Sequence, residues 1–286
     1  MPLSINKDAV AQNLVSHLRQ IVRERDPFLA TQGHFYVQQY LQQQLGQWGT
    51  VLRQPFQMRE RTHYNLSLAL PGAQSGLAPL LIGAHYDTVP GTVGADDNAT
   101  GLAVLLELAR LLAPSQLQRP IIFAAFDLEE FGLAGSRAWV EAWCQARQPL
   151  YLMLSLEMLG YCDRATGSQQ YPAAGLRAIY PDRGDFIALI GNWQSVRIMR
   201  QLKRSFRQGG TPCEWLPMVA RGQWLPDTRR SDHAPFWDAG FNAILVTDTS
   251  EFRNPHYHQA TDTLETLDLE FLTGVCLGLA KGLPQL

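Results

Sequence analysis

Several kinds of feature are scarce in this sequence, and each scarcity narrows what the chain can be. Only four cysteines occur (Cys144, Cys162, Cys213 and Cys276), and no two of them form a CxxC pair. That excludes a zinc knuckle or a dense disulfide framework and fits a reducing compartment; only a Cys162–Cys213 bridge stays open. No run approaches the roughly 18 unbroken apolar residues of a membrane span. The opening MPLSINKDAV lacks the basic segment and apolar stretch of a secretory leader. The expected location is therefore cytoplasmic, with no membrane contact. An excess of one charge is missing too, since 24 Lys and Arg face 26 Asp and Glu, a formal charge of −2. Arg229-Arg230 and the segment 203–207 make no extended basic stripe, so nucleic acid is not an expected partner. Internal repeats and low-complexity tracts are absent.

What is there is an apolar fraction of 46% and a charged fraction of 17% over 286 residues, enough to bury one large core. Residues 7–22 and 34–48 read as amphipathic helices separated by a turn at Asp26-Pro27. Residues 64–70 and 80–84 read as strands, the second stopping at His85. Leu102, Leu105, Leu106, Ala109 and Leu112 share one face of a helix over 101–112, whose start Asp97 or Asn98 can cap. Strands follow at 121–126, 150–156, 186–190 and 241–246, and helices at 134–144, 195–207 and 267–283. Residues 160–184 are long for a plain connection and suit a lid or pocket rim. Alternating strands and helices predict a single α/β domain over 1–286, with a mixed, largely parallel central sheet flanked by helices on both faces.

The polar residues fall in a pattern on this frame. His85, Asp127 to Glu130, Glu157 and Asp248 all lie at or just past the C-terminal end of an expected strand, the edge where open α/β sheets bind ligands. In GAHYDT, His85 suits a metal and Asp87 can take its second ring N–H. In GADDNATG, the helix start accounts for Asp97 by capping and leaves Asp96 free to point elsewhere. In DLEEFGLAGS, two glutamates follow a buried strand directly, so one can hold a metal while its neighbour moves a proton. Glu157 ends another apolar strand with no basic residue nearby in sequence, and a buried carboxylate needs a cation or several donors. Three histidines, His233, His256 and His258, compete for a ligand role in SDHAPF and NPHYHQATDT, and spacing does not choose between them.

Taken in order, HYD, ADDNATG, LEEFGLAGS, LEMLG with SDHAPF, and YHQATDT resemble the M28 family of zinc aminopeptidases over roughly residues 60–270. The resemblance implies two zinc ions per chain, held by His85, Asp96, Glu130, Glu157 and His258. Asp96 would bridge the ions, with a cis peptide bond to Asp97. Glu157 stands where many members carry Asp. Glu129 would be the general base and Tyr257 a phenol for the oxyanion. Asp87, Asp97, Asp232, His233 and Asp262 would support the ligands. The implied substrate is a peptide with a free N-terminus, with Met158, Trp193, Trp224 and Phe252 as candidates for a side-chain pocket. Glutaminyl cyclase-like acyltransferases share the fold but bind one zinc. A carboxypeptidase-like member would use Arg221, Arg229 or Arg230 on a substrate carboxylate, and relatives lacking metal ligands are binding modules.

Overall fold

Three apolar segments form the middle of the molecule. Leu80–His85 (β3), Ile121–Phe126 (β4) and Leu152–Glu157 (β5) are buried almost throughout, as strands covered on both faces are. In the computed structural model, which describes residues 5–74 and 76–286, five more strands extend them into one eight-stranded sheet. These are Val51–Met58 (β1), Arg61–Leu70 (β2), Ile187–Asn192 (β6), Cys213–Met218 (β7) and Ala243–Thr247 (β8), in the order β1-β2-β4-β3-β5-β8-β6-β7. The pairs β4–β3, β3–β5, β5–β8 and β6–β7 are parallel. The pairs β1–β2, β2–β4 and β8–β6 are antiparallel. This is the mixed, mostly parallel sheet that the alternation of elements predicts.

Helices cover both faces. Lys7–Ile21 (α1), Thr31–Gly46 (α2), Gly101–Leu112 (α3), Val196–Gly209 (α6) and Leu269–Gly282 (α8) pack over one face on the larger apolar cluster. Ala134–Gln145 (α4) and His233–Asp238 (α7) cover the other, with Trp139, Phe236 and Trp237 against Phe126. A short turn of helix, Ala174–Arg177 (α5), lies within the 160–184 connection.

The sequence reading misses both outer strands, for the same physical reason. β1 carries Pro55 among Arg53, Gln54 and Gln57, and β7 carries Pro217. An edge strand has one unpaired side and tolerates proline and polar residues that a central strand does not. α7, with six residues, is too short to show a period. All four cysteines are free, so Cys162 and Cys213 form no bridge. Among the described residues no helix is long and apolar enough to cross a membrane.

α6 and α8 approach closely because α8 presents Gly274, Gly278 and Gly282 at every fourth residue. A Cβ at Gly278 would lie 2.9 Å from the Phe206 backbone, and one at Gly282 would lie 3.1 Å from the Ser205 Cβ. Gly278→Ala gains about 1 kcal/mol of helix propensity. Its methyl, however, meets backbone that cannot swing aside. The expected outcome is net destabilisation by about 1–3 kcal/mol, read as a lower urea midpoint at unchanged slope.

Candidate metal centre

Because β3, β4, β5 and β8 run the same way, their C-terminal ends share one sheet edge. His85 ends β3, the segment 127–130 leaves β4, Glu157 ends β5 and Asp248 follows β8. Two further segments close over this edge, residues 95–100 ahead of α3 and the loop around His258. His85 Nε2 lies 3.1 Å from Asp97 Oδ1 and 3.4 Å from Glu157 Oε1. His258 Nε2 lies 3.2 Å from Asp97 Oδ2 and 3.2 Å from Glu130 Oε2. Asp97 therefore stands between two histidines, each with its own glutamate.

This corrects the assignment of the adjacent aspartates. Asp96 is not in the cluster. Its Oδ1 accepts hydrogen bonds from Gly160 N (2.8 Å) and Thr100 Oγ1 (3.2 Å), and its Oδ2 accepts one from Asn254 Nδ2 (2.8 Å). With these donors Asp96 ties the loops together and is turned away from the histidines. The capping role expected of Asp97 falls instead to Asn98, whose Oδ1 accepts from Gly101 N at the start of α3. Asn98 Nδ2 also donates to Leu156 O of β5. Freed from capping, Asp97 faces the histidines. The cis peptide bond is Asp97–Asn98, one residue later than expected.

The residues present fit a metal ion. Asp97 Oδ1, Glu130 Oε1 and His258 Nε2 are buried without any hydrogen-bond partner, although histidine nitrogens and carboxylate oxygens approach within 3.2 Å. Groups that converge this closely and yet make no hydrogen bond are arranged for something between them. One donor atom each of His85, Asp97 and Glu130 lie within 4.8 Å of one another. Imidazole and carboxylate donors suit zinc. Burial pushes the Glu129 carboxyl well above its ordinary range, and it raises Glu130 to about 7 against the pull of the histidines. Burial disfavours the His258 cation, but Asp97 and Glu130 outweigh it and hold its pKa up at about 10. Protons relieve part of this charge, and a bound cation would serve the same end.

Other side chains aim this set. Asp87 Oδ1 and Oδ2 accept from the backbone N–H groups of Glu129 (3.0 Å) and Glu130 (3.1 Å), and Asp87 lies 3.4 Å from His85 Nδ1. One carboxylate thereby orients both glutamates and the histidine. Asp262 does the same for the Asp96–Asp97 backbone, accepting from both N–H groups at 2.8 and 3.1 Å. Asp232 is fully buried near His85 and Glu157, with both oxygens unpaired. His233 is turned elsewhere. Its ring bonds Thr228 O at 2.7 Å and stands edge-on to Trp237, while burial lowers its pKa to about 4. His256 bonds Thr261 and takes no part in the cluster. Tyr257 stacks on His258 with ring centroids 3.8 Å apart and accepts a hydrogen bond from Arg230 Nη2 at 3.1 Å; Arg230 also pairs with Glu251.

Sequence reasoning missed Arg25, Ser231 and Asn254. Ser231 Oγ donates to Glu157 Oε2 at 2.8 Å. Arg25 is wholly buried, and its guanidinium donates to Val93 O (2.6 Å), Gly94 O (2.9 Å) and Asp97 O (3.3 Å). Burial lowers its pKa to about 10, while Asp97 and Asp262 work to keep the charge. No local motif announces it. The only trace in sequence is its place at the expected turn before Pro27.

A cavity opens beside the cluster. Asp97, Glu129, Glu130, Glu157 and His258 line one end, and Tyr171, Leu176, Phe186, Ile190, Leu216 and Leu245 form its apolar body. The segment 169–172 supplies part of the wall. Of the aromatic and apolar candidates for a pocket, Phe252 lines the cavity, Met158 is core, and Trp193 and Trp224 are exposed away from it. Arg230 also lines it, whereas Arg221 and Arg229 are tied to Asp238.

Comparison with known proteins agrees with this geometry. The family model described as Peptidase family M28 matches residues 65–276. The chain is 38% identical over 216 residues to the uncharacterized protein YfbL of Escherichia coli, covering 70% of this chain and 64% of that one. It is 28% identical over 206 residues to aminopeptidase YwaD of Bacillus subtilis, covering 66% and 37%. The alignments thus span less than two thirds of either relative. Among solved structures, LapB from Legionella pneumophila superposes with a TM-score of 0.73 at 24% identity, over 99% of this chain and 72% of that one. A Bacteroides thetaiotaomicron glutaminyl cyclase gives 0.72 at 17% identity over the full length of both. At these identities the structural likeness speaks for the fold alone.

Arg25→Met takes the guanidinium from the carbonyls of Val93, Gly94 and Asp97, of which Gly94 O keeps the amide of Ala99, at a cost of about 1–3 kcal/mol for each group left unsatisfied. The expected result is a lowered melting temperature and zinc affinity reduced by about 10–100-fold, measured by chelator competition on the folded variant.

Proposed function

We propose that this chain, which belongs to peptidase family M28, is a co-catalytic di-zinc aminopeptidase. The observation that carries this reading is the shared carboxylate. Asp97 faces His85 with Glu157 on one side, and His258 with Glu130 on the other, an arrangement in which each histidine and its glutamate would hold one ion with Asp97 shared. The name of aminopeptidase YwaD among the relatives, and that of a probable zinc metalloprotease of Pyrenophora tritici-repentis at 27% identity, support it. Zinc bound there supplies a Lewis acid that polarises a peptide carbonyl and acidifies water.

The protein's own residues do the rest. Glu129 lines the cavity, is buried, and has its backbone fixed on Asp87. Its carboxylate takes the proton from the attacking water and returns it to the leaving amine. Tyr257, steered by Arg230 and packed on His258, offers its hydroxyl to the oxyanion of the tetrahedral intermediate. The anionic end of the cavity suits the α-ammonium of a substrate, so cleavage begins at a free N-terminus. The first side chain then enters the apolar body lined by Leu176, Phe186, Ile190 and Leu245, where burial favours large apolar residues.

Two measurements test the proposal. Metal analysis of the zinc-loaded protein is expected to find two ions per chain, with zinc lost on Asp97→Asn. Leucyl and phenylalanyl amides are expected to be hydrolysed and their N-acetyl forms spared. Glu129→Gln is expected to lower kcat by about 10²–10⁴-fold with zinc content unchanged. Cyclisation of a glutaminyl peptide without hydrolysis of these amides would sink the aminopeptidase reading.

A further inference from the structure

The chain is nearly neutral overall, but its positive charge is not spread evenly. Between Asp185 and Glu214 there is no acidic residue, while Arg197, Arg200, Lys203, Arg204 and Arg207 all fall on α6. The four arginines recur at intervals of three, four and three residues. That spacing places them along one side of the helix, over about 15 Å at 1.5 Å per residue. All four are exposed. Lys203 alone on this helix has an acidic partner, Glu214 at 2.7 Å; the four arginines make no ion pair among the described residues. Lys281 of α8 adds charge beside them, its ammonium donating to Gln208 O at 2.8 Å. Gln201, Gln208 and Gln285 share a shallow groove with Arg197, Arg200 and Arg204. The opposite side of α6 is fixed by Ile198, Met199, Leu202 and Phe206 in the core and by the close seat on Gly278. The stripe is therefore rigidly presented rather than carried on a loop.

A second observation indicates what the stripe meets. Trp193, in the turn that leads into α6, is 61% exposed, and Val219, just past the end of β7, is 56% exposed. The strands β6 and β7 are parallel to each other, so both residues leave the sheet at the same edge. An exposed tryptophan at the end of a basic helix is the composition that settles at a lipid–water interface. The use of arginine points the same way, because the guanidinium fork pairs phosphate oxygens in a bidentate manner. Orientation fits as well. β6 runs antiparallel to β8, so Trp193 lies at the sheet edge opposite the one that carries His85 and Glu157. From that end α6 returns over one face of the sheet toward the start of β7, and none of its four arginines lines the cavity beside the metal centre.

We propose that α6 is a peripheral docking element for an anionic phospholipid bilayer, with Arg197, Arg200, Arg204 and Arg207 on the lipid phosphates and Trp193 in the interface. This revises the expectation of no membrane contact, which rested on the lack of a spanning segment. It stands independently of the peptidase reading, because none of these residues touches the metal centre or its cavity.

Vesicle sedimentation tests it with the full chain. Binding is expected to vesicles of mixed phosphatidylglycerol and phosphatidylcholine, and to be absent with phosphatidylcholine alone. Raising salt from about 0.05 M to about 0.5 M should release the protein, since it shortens the screening length severalfold. The variant R200E/R204E should bind at least about tenfold more weakly, given about 1 kcal/mol per basic residue at such a surface, with an unchanged melting temperature. R200Q/R204Q should fall in between, and W193A should weaken binding without altering its salt dependence. Equal binding by R200E/R204E, binding to phosphatidylcholine alone, or no sedimentation with either vesicle would overturn the proposal. So would salt-sensitive binding of a Glu-rich peptide or of inorganic tripolyphosphate that leaves vesicles unbound.

Discussion

Holding carboxylates out of water without enough donors is the constraint around which this molecule is arranged. Asp97, Glu129, Glu130 and Glu157 meet at one sheet edge, and one oxygen each of Asp97 and Glu130 is buried there without a hydrogen-bond partner. A buried carboxylate left in that state is costly, so the surrounding structure has to hold it there. Hydrogen bonds do so largely at the backbone: Asp87 grips the amides of Glu129 and Glu130, and Asp262 those of Asp96 and Asp97. The acids are thereby aimed from behind, which leaves oxygens of Asp97 and Glu130 free to face a cation.

Each such grip joins segments far apart in the chain. Arg25 precedes α2 and holds the carbonyls of Val93, Gly94 and Asp97. Asn254 reaches Asp96, and Ser231 reaches Glu157. The apolar strands supply the frame on which these contacts are registered, because parallel pairing of β3 with β4 and β5, and of β5 with β8, brings four strand ends level. The cavity beside them takes its apolar body from β6, β7, β8 and the 160–184 connection. Polar and apolar ends of one space are thus built from different parts of the fold.

Much of this is legible in the sequence. Apolar runs at 80–84, 121–126 and 150–156 identify the central strands. Acids immediately following such runs identify the working edge, since a carboxylate placed at the end of a doubly covered strand needs a cation or a donor to face. What cannot be read falls into two kinds. Edge strands β1 and β7 lack the pattern because one side of each is unpaired. The choice between neighbours, Asp96 or Asp97, depends on where three donors from distant loops happen to lie. Spacing within GADDNATG is blind to that. His258 over His233 is a choice of the same kind, decided by which ring nitrogen already has a carbonyl to bond.

The span of the Asp262 contact has a consequence for synthesis. Residues that hold the centre run from Arg25 to Asp262, so the carboxylate that fixes the Asp97 backbone leaves the ribosome long after the aspartate it positions. Until it does, the amides of Asp96 and Asp97 lack the acceptor that orients them, and a growing chain carries the acids of the centre without that support. The geometry of the centre is thus completed only when almost the whole chain is in place.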